Sequence, residues 1–145
     1  MSGTRRIVIL LILPMISVAH SAEYTYVVGD HTYAATKASD CFEISDHAAA
    51  ECVKHFFEES EKELETSFDS IRGRLVRDKS LFEETQAKWI SFKNRECEVR
   101  SISAQAYRDP ERQKSLFVRA CAAELNAQRV LQLQSLSIGC DSCLQ

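Results

Sequence analysis

The chain has 145 residues, with 18 lysines and arginines against 21 aspartates and glutamates, and six cysteines. A chain of this length forms one small domain. The balance of charge excludes the strongly basic composition that is typical of nucleic-acid-binding proteins.

Residues 1–22 are typical of a secretory signal peptide. Two basic residues, Arg5 and Arg6, precede an apolar run over residues 7–16, and Ala22 closes a small-residue segment that suits cleavage. The run is short for a membrane span. We therefore expect export, cleavage and no stable membrane anchor afterwards, with an uncleaved N-terminal anchor as the alternative. The expected location is the periplasm or the extracellular space.

Residues 23–40 are expected to form an N-terminal arm, and their β-prone composition leaves a short hairpin and an extended segment equally open. The first long helix is predicted within residues 41–76, with a start near Ser45 or Asp46. Apolar residues recur there at helical spacing, interrupted by a polar gap at Ser60. They are Ala49, Val53, Phe56, Phe57, Leu64, Phe68, Ile71 and Leu75.

Charge is distributed unevenly along the chain. Ten acidic and two basic residues lie between Asp40 and Asp69, whereas nine acidic and thirteen basic residues follow from Ser70 to the end. Either the acidic helix packs beside basic helices and the fields cancel, or it presents an acidic face that attracts a cationic partner.

Two further helices are predicted. The second covers residues 79–106, and its expected buried stripe is Phe82, Thr85, Trp89, Phe92, Glu96 and Val99. Proline is accepted in a first helical turn, so Asp109 and Pro110 are expected to begin a third helix that runs to about Leu136. Its expected apolar contacts include Leu131. The expected fold is all-α, a small antiparallel three-helix bundle or helical hairpin stapled by disulfides, with residues 138–145 as a C-terminal tail.

All six cysteines follow the signal-like segment, and an even count in a small exported chain favours disulfides. Cys97 and Cys121 lie twelve positions on either side of residue 109, so a turn there brings them to the same height on facing helices. Cys41 and Cys52 form the second expected pair, which would pin the arm to the first helix. For Cys140 and Cys143 we expect a local disulfide, with pairing to another chain and redox chemistry as alternatives.

Metal and catalytic sites are not expected. A zinc site assembled from Cys41, His47, Cys52 and His55 matches no standard spacing. The sequence holds no hydrolase, metalloprotease or phosphate-loop motif. We therefore expect no cofactor and no enzymatic activity.

The segment Gln86-x-x-Trp89-Ile-x-Phe92-Lys-x-x-Glu96-Cys97 resembles the signature of the LprI-like lysozyme-inhibitor family. Cys121, Arg129 and the early cysteines also match the family pattern. The resemblance covers Cys41 to Leu133, so we assign residues 41–137 to an LprI-like helical domain. Asn126 stands where the family commonly has threonine, and Glu61, Glu65 and Phe68 are further departures.

The resemblance implies a small exported helical protein that binds lysozyme, or another cationic muramidase, and inhibits it. Inhibition is expected to work by occlusion of the substrate cleft. The alternative is a structural or adaptor module of the cell envelope that binds an endogenous protein.

Overall fold

A computed structural model describes residues 23–43 and 46–138 of the chain. A small antiparallel sheet precedes three long helices, and short 3-10 helices flank the first and second of these. The elements are β1 (Tyr24–Val28), β2 (His31–Ala35), a 3-10 helix (Ala38–Glu43), α1 (Asp46–Arg74), α2 (Lys79–Arg100), a 3-10 helix (Ser101–Ala106) and α3 (Pro110–Ile138). The expected all-α fold is confirmed, with the hairpin as its only sheet in the described part. The predicted signal peptide lies outside the described residues.

Helices α1 and α3 run parallel and hold most of the apolar core. Near their N-terminal ends Val53 and Phe56 pack against Leu116, together with small residues of α3. Near their C-terminal ends Leu64 and Ile71 of α1 pack against Val130 and Leu133 of α3. Each helix has 29 residues and is therefore about 43 Å long. Within the described residues, no helix is both long and apolar enough to span a membrane.

Helix α2 runs antiparallel to this pair and completes an up-down-up bundle. Its C-terminal half is joined to α3 by the Cys97–Cys121 disulfide, whose Cα atoms are 5.5 Å apart. Its N-terminal half meets α1 through the stacked rings of Phe68 and Phe82, with centroids 4.9 Å apart. The pairing predicted from the symmetric placement of the two cysteines is present in the structure.

The predicted buried stripe of α2 is wrong in its orientation. Thr85, Phe92 and Val99 are exposed, and Phe92 keeps 55% of its surface accessible. The residues of α2 that are buried are Gln86, Lys93 and Cys97. Two polar side chains replace the expected apolar ones because both have hydrogen-bond partners on the other helices, as described below.

The observed ends of the helices agree only in part with those predicted from the sequence. The backbone N–H of Arg112 donates to Asp109 Oδ1 at 3.2 Å, so Asp109 caps α3 as expected. Helix α2 ends at Arg100, and the remainder of its predicted range, residues 101–106, is a 3-10 helix. Leu131, expected in the core, is exposed on α3.

The N-terminal arm is a hairpin rather than an extended segment. Tyr24 pairs with Ala35 at its open end, and Gly29 and Asp30 form the turn. Gly29 has φ of 61°, a left-handed conformation that glycine adopts without steric cost. The second predicted disulfide, Cys41–Cys52, is also present and ties the 3-10 helix behind the hairpin to α1.

The Asp40 carboxylate fixes the base of the hairpin. Its Oδ2 accepts hydrogen bonds from the backbone N–H groups of Thr36 at 3.0 Å and Lys37 at 3.2 Å. Oδ2 also accepts from the Thr36 hydroxyl at 3.0 Å. These bonds, led by the one from the Thr36 backbone, lower the pKa of Asp40 from its ordinary value.

The lowered pKa of Asp40 predicts that part of the unfolding free energy is lost in acid. Because the folded-state pKa lies below the unfolded one, the stabilisation is present above about pH 4 and is lost as the pH falls through the folded pKa. Asp40→Ala should cost about 1 kcal/mol of unfolding free energy at pH 7, as for other capping side chains. Urea titrations of both proteins between pH 7 and pH 2 measure this difference. A difference that does not shrink with acid would exclude the carboxylate as its source.

The two disulfides predict a graded loss of stability. Cys97→Ala/Cys121→Ala should lower the free energy of unfolding by about 3 kcal/mol in the chain-entropy model. The Cys41–Cys52 bridge spans 11 positions rather than 24. Its removal should therefore cost about 0.6 kcal/mol less. Chemical denaturation of the two double variants tests whether loss of Cys97–Cys121 costs more than loss of Cys41–Cys52. The prediction is contradicted if either variant is as stable as the parent.

Candidate functional site

A buried ammonium group lies where the three helices meet. Lys93 of α2 keeps only 6% of its surface accessible. Its Nζ donates to Asn126 Oδ1 on α3 at 3.0 Å and lies 3.6 Å from Glu61 Oε1 on α1. A buried charge needs such partners, because an unpaired one would lose its hydration without compensation.

Asn126 connects this ammonium group to α1. It is fully buried, and its Nδ2 donates to the Ser60 hydroxyl oxygen at 3.2 Å. The Ser60 hydroxyl in turn donates to the carbonyl of Phe57 at 2.9 Å. The polar gap that Ser60 makes in the apolar pattern of α1 is therefore a core position with a specific partner. We refer to Ser60, Lys93 and Asn126 as the polar cluster.

Trp89 lies beside the polar cluster, between two cations. Lys93 Nζ and the Arg129 guanidinium carbon each lie 5.6 Å from the centroid of its ring system. Such cation–π contacts are favourable, most of all where the cation is partly desolvated. Arg129 Nε also donates to the buried Gln86 Oε1 at 3.1 Å. Burial lowers the pKa of the Arg129 guanidinium from its ordinary value.

The structure brings most of the signature residues together. Arg129 contacts both Gln86 and Trp89, and the Cys97–Cys121 bridge lies in the same apolar cluster as Trp89. The other two signature residues lie outside this group. They are Glu96, which pairs with Arg100 at 2.8 Å, and Phe92, which is exposed. Cys140 and Cys143 lie outside the described residues.

Sequence reasoning missed the polar cluster. Lys93 is not part of the buried stripe predicted for α2, yet it lies on the buried face of the helix. Two signals pointed to the cluster: the polar gap at Ser60 and the departure from threonine at Asn126. Neither signal identifies its partner, because the contacts join residues 33 and 66 positions apart.

The outer face of α2 carries a row of exposed apolar residues that share one side of the helix. They are Leu81, Phe92, Val99 and, in the following 3-10 helix, Ile102. Lys88 and Arg95 lie in the same row.

The solvent face of α1 carries a row of carboxylates, Glu51, Glu58 and Glu65, which we call the acidic stripe. Its members are seven residues apart and all exposed, so they follow one side of the helix over about 21 Å. Within the described residues none of the three forms an ion pair. Glu59 and Glu63 are likewise exposed, and they too lack an ion pair there.

The basic residues of α2 and α3 do not neutralise the acidic stripe. Among the ion pairs of the described residues, two cations reach α1 carboxylates: Lys93 on Glu61, and Arg72, itself on α1, on Asp69. Lys88 and Arg100 pair within α2. The stripe is exposed, and Lys54 and Lys62 of α1, which are also exposed, lie within one turn of its members.

A wide cleft of about 600 Å³ lies where the start of α3 faces the first 3-10 helix and α1. Phe42, Tyr107 and Leu116 contribute apolar lining, and its one carboxylate, Asp109, is the helix cap. These lining residues therefore do not form the two-carboxylate arrangement of a glycosidase. In the part of the chain that the structure describes, no group of three or more His, Cys, Asp or Glu residues is placed to hold a metal ion.

Comparison with known proteins gives one family. A family model described as Lysozyme inhibitor LprI matches residues 39–133. The matched segment begins just before Cys41 and ends at Leu133, so it includes both observed disulfides, the polar cluster and the acidic stripe. No curated protein and no solved structure matches the chain.

The polar cluster predicts non-additive effects of substitution. Asn126→Ala should lower the unfolding free energy by about 2–4 kcal/mol, because it leaves the Lys93 ammonium and the Ser60 hydroxyl buried with fewer partners. Lys93→Met alone should cost less, since Asn126 keeps its bond to Ser60. The double variant Lys93→Met/Asn126→Ala should lose less stability than the sum of the two single variants, because the buried charge is gone. Urea unfolding of the three variants measures these energies, and strict additivity would contradict the cluster.

Proposed function

The chain belongs to the LprI lysozyme-inhibitor family, and from this we propose that it is an exported protein that binds a lysozyme and blocks access to its substrate cleft. The family describes an inhibitor rather than a catalyst. The acidic stripe of α1 is the observation that supports the proposal for this chain, because it is an exposed row of carboxylates to which a cationic partner could bind.

Export is supported by two features of the chain. The N-terminal sequence has the basic start and apolar run of a signal peptide. The cysteines at 41, 52, 97 and 121 are paired, and structural disulfides form and persist in oxidising compartments. The periplasm and the extracellular space are both oxidising, and a muramidase acts on the wall outside the cytoplasm.

The acidic stripe would act mainly on association. The three carboxylates of the stripe outnumber the two lysines beside them on α1, Lys54 and Lys62, and the resulting negative local field steers a cationic protein toward the stripe. No internal salt bridge has to break when the stripe docks. The contribution of each exposed pair is modest, about 0.2–1 kcal/mol, and it falls as salt screens the charges.

Inhibition would follow from docking by occlusion. A muramidase holds its glycan in a cleft between two carboxyl groups, and the substrate must enter that cleft to react. A folded domain held across the cleft excludes a polymer without any chemical step. This mechanism requires a rigid domain, and the two disulfides and the polar cluster supply that rigidity.

Neutralising the acidic stripe should weaken binding to a cationic c-type lysozyme. Glu51→Gln/Glu58→Gln/Glu65→Gln should raise Kd by about 3- to 100-fold at low salt, with most of the change in the association rate. The parent should lose affinity as salt increases, and the triple variant should respond less. Binding of each protein to surface-immobilised lysozyme, measured over a series of salt concentrations, gives the association and dissociation rates.

The matched control is Asp78→Asn/Glu98→Gln/Glu111→Gln, which changes the net charge by the same amount. These three carboxylates are exposed, lie outside α1 and, like the stripe, form no ion pair among the described residues. Equal weakening by both triple variants would show a general charge effect and reject the stripe as the contact. Parent protein that does not bind any muramidase, yet recovers an endogenous envelope protein, would instead support the adaptor function.

A further inference from the structure

The β1–β2 hairpin projects from the helical bundle. Each strand has five residues and is about 17 Å long. Ala35 at the open end is buried in the core, whereas His31 to Ala34 of β2 are exposed, and Val27 near the turn keeps 68% of its surface accessible. The distal half of the hairpin therefore extends beyond the bundle.

Stacked aromatic rings stiffen this projection. Tyr26 and Tyr33 face each other across the strands, with centroids 5.2 Å apart and ring planes within 5°. Tyr24 continues the row at 6.1 Å from Tyr26, and His31 lies 6.4 Å from Tyr33. An isolated two-stranded hairpin is marginal in water, so this row, together with the bonds of Asp40, preorders the hairpin before it meets a partner.

The hairpin adjoins the acidic stripe. The Tyr24 ring lies 5.0 Å from the imidazole of His55 on α1. His55 is one turn from both Glu51 and Glu58, so the base of the hairpin lies beside the N-terminal end of the stripe. A partner that docks on the stripe would have the hairpin next to its surface.

The chemistry of the hairpin favours the same partner. Residues 23–35 contain two acidic residues, Glu23 and Asp30, and neither lysine nor arginine. Exposed strands usually carry lysine or proline that discourages pairing, and this hairpin has neither. An acidic, unprotected and preordered projection is suited to contact with a cationic protein.

We propose that the β1–β2 hairpin is the element that enters the cleft of the bound muramidase, while the acidic stripe holds the enzyme. The proposal rests on the proposed function and assigns its two parts, affinity and occlusion, to different elements. A glycan-binding cleft is concave, and the hairpin is the projecting part of the described chain that lies next to the stripe. Residues 24–35 precede the segment matched by the family, 39–133, so the hairpin is an addition to the helical domain from which the inhibitor function is inferred.

A shortened hairpin separates occlusion from binding. Replacing residues 27–32 by Asn-Gly joins Tyr26 to Tyr33 through a two-residue turn that this sequence favours. Hydrogen-bonded and non-hydrogen-bonded pairs alternate along an antiparallel ladder. Tyr26 and Tyr33 therefore form the same type of pair as Val28 and His31, which flank the present turn, so a two-residue turn fits at either position. The variant keeps the base of the hairpin and removes about 7 Å of its length. The length-matched control is Gly29→Asn/Asp30→Gly, with the same turn sequence at the original position.

The test uses lysozyme saturated with each protein, hydrolysis of a short chitooligosaccharide as the readout, and a separate measurement of Kd. The parent and the control should block hydrolysis at saturation. The shortened variant should lose this block, while its Kd stays within about tenfold of the parent, since most contacts outside the anchoring residues contribute little. Circular dichroism checks that all three proteins are folded.

Two results would overturn the inference. If the shortened variant binds and still blocks hydrolysis as the parent does, the bundle itself covers the cleft, and the proposed function stands without the hairpin. If the parent does not bind lysozyme at all, the proposed function fails, and the assignment of the hairpin fails with it. The Kd measurement distinguishes the two.

Discussion

The buried ammonium of Lys93 is the constraint on which the arrangement of the three helices depends. Helix α2 buries few apolar side chains, and its fully covered positions are Gln86, Lys93 and Cys97. An ammonium group in that position must be bonded from both neighbouring helices, and Asn126 and Glu61 provide those contacts. With the Cys97–Cys121 bridge, these contacts set the height and rotation of α2 on the parallel pair of α1 and α3.

This arrangement also determines which charges reach the surface. Because α2 turns Lys93 inward and pairs Lys88 and Arg100 within its own helix, none of these three cations forms an ion pair with the acidic stripe of α1. The apolar core between α1 and α3 keeps α1 straight beneath the stripe and fixes the base of the hairpin through Ala35 and Cys41. The apolar core and the proposed recognition surface thus lie on opposite sides of the same helix.

Several features of the fold could be predicted from the sequence because they depend on local signals. Asp109 and Pro110 determine the start of α3, and the symmetric spacing of Cys97 and Cys121 about that turn predicts their bridge. The rotation of α2 could not be predicted, because periodicity favours Phe92 inside and Lys93 outside. The partner that reverses this order, Asn126, lies 33 positions away. The sequence could not decide between a hairpin and an extended arm for a related reason. The contacts of Tyr24 and Asp40 that hold the hairpin form only in the folded protein.

We propose that the oxidised protein inhibits a muramidase by binding it and occupying its substrate cleft. Lysis of peptidoglycan-walled cells by a c-type lysozyme, with oxidised residues 23–145 titrated in, tests it most directly. We predict dose-dependent protection that disappears once the disulfides are reduced and the bundle loses the constraint on α2. Undiminished lysis in the presence of folded, oxidised protein would contradict the claim and leave only the fold.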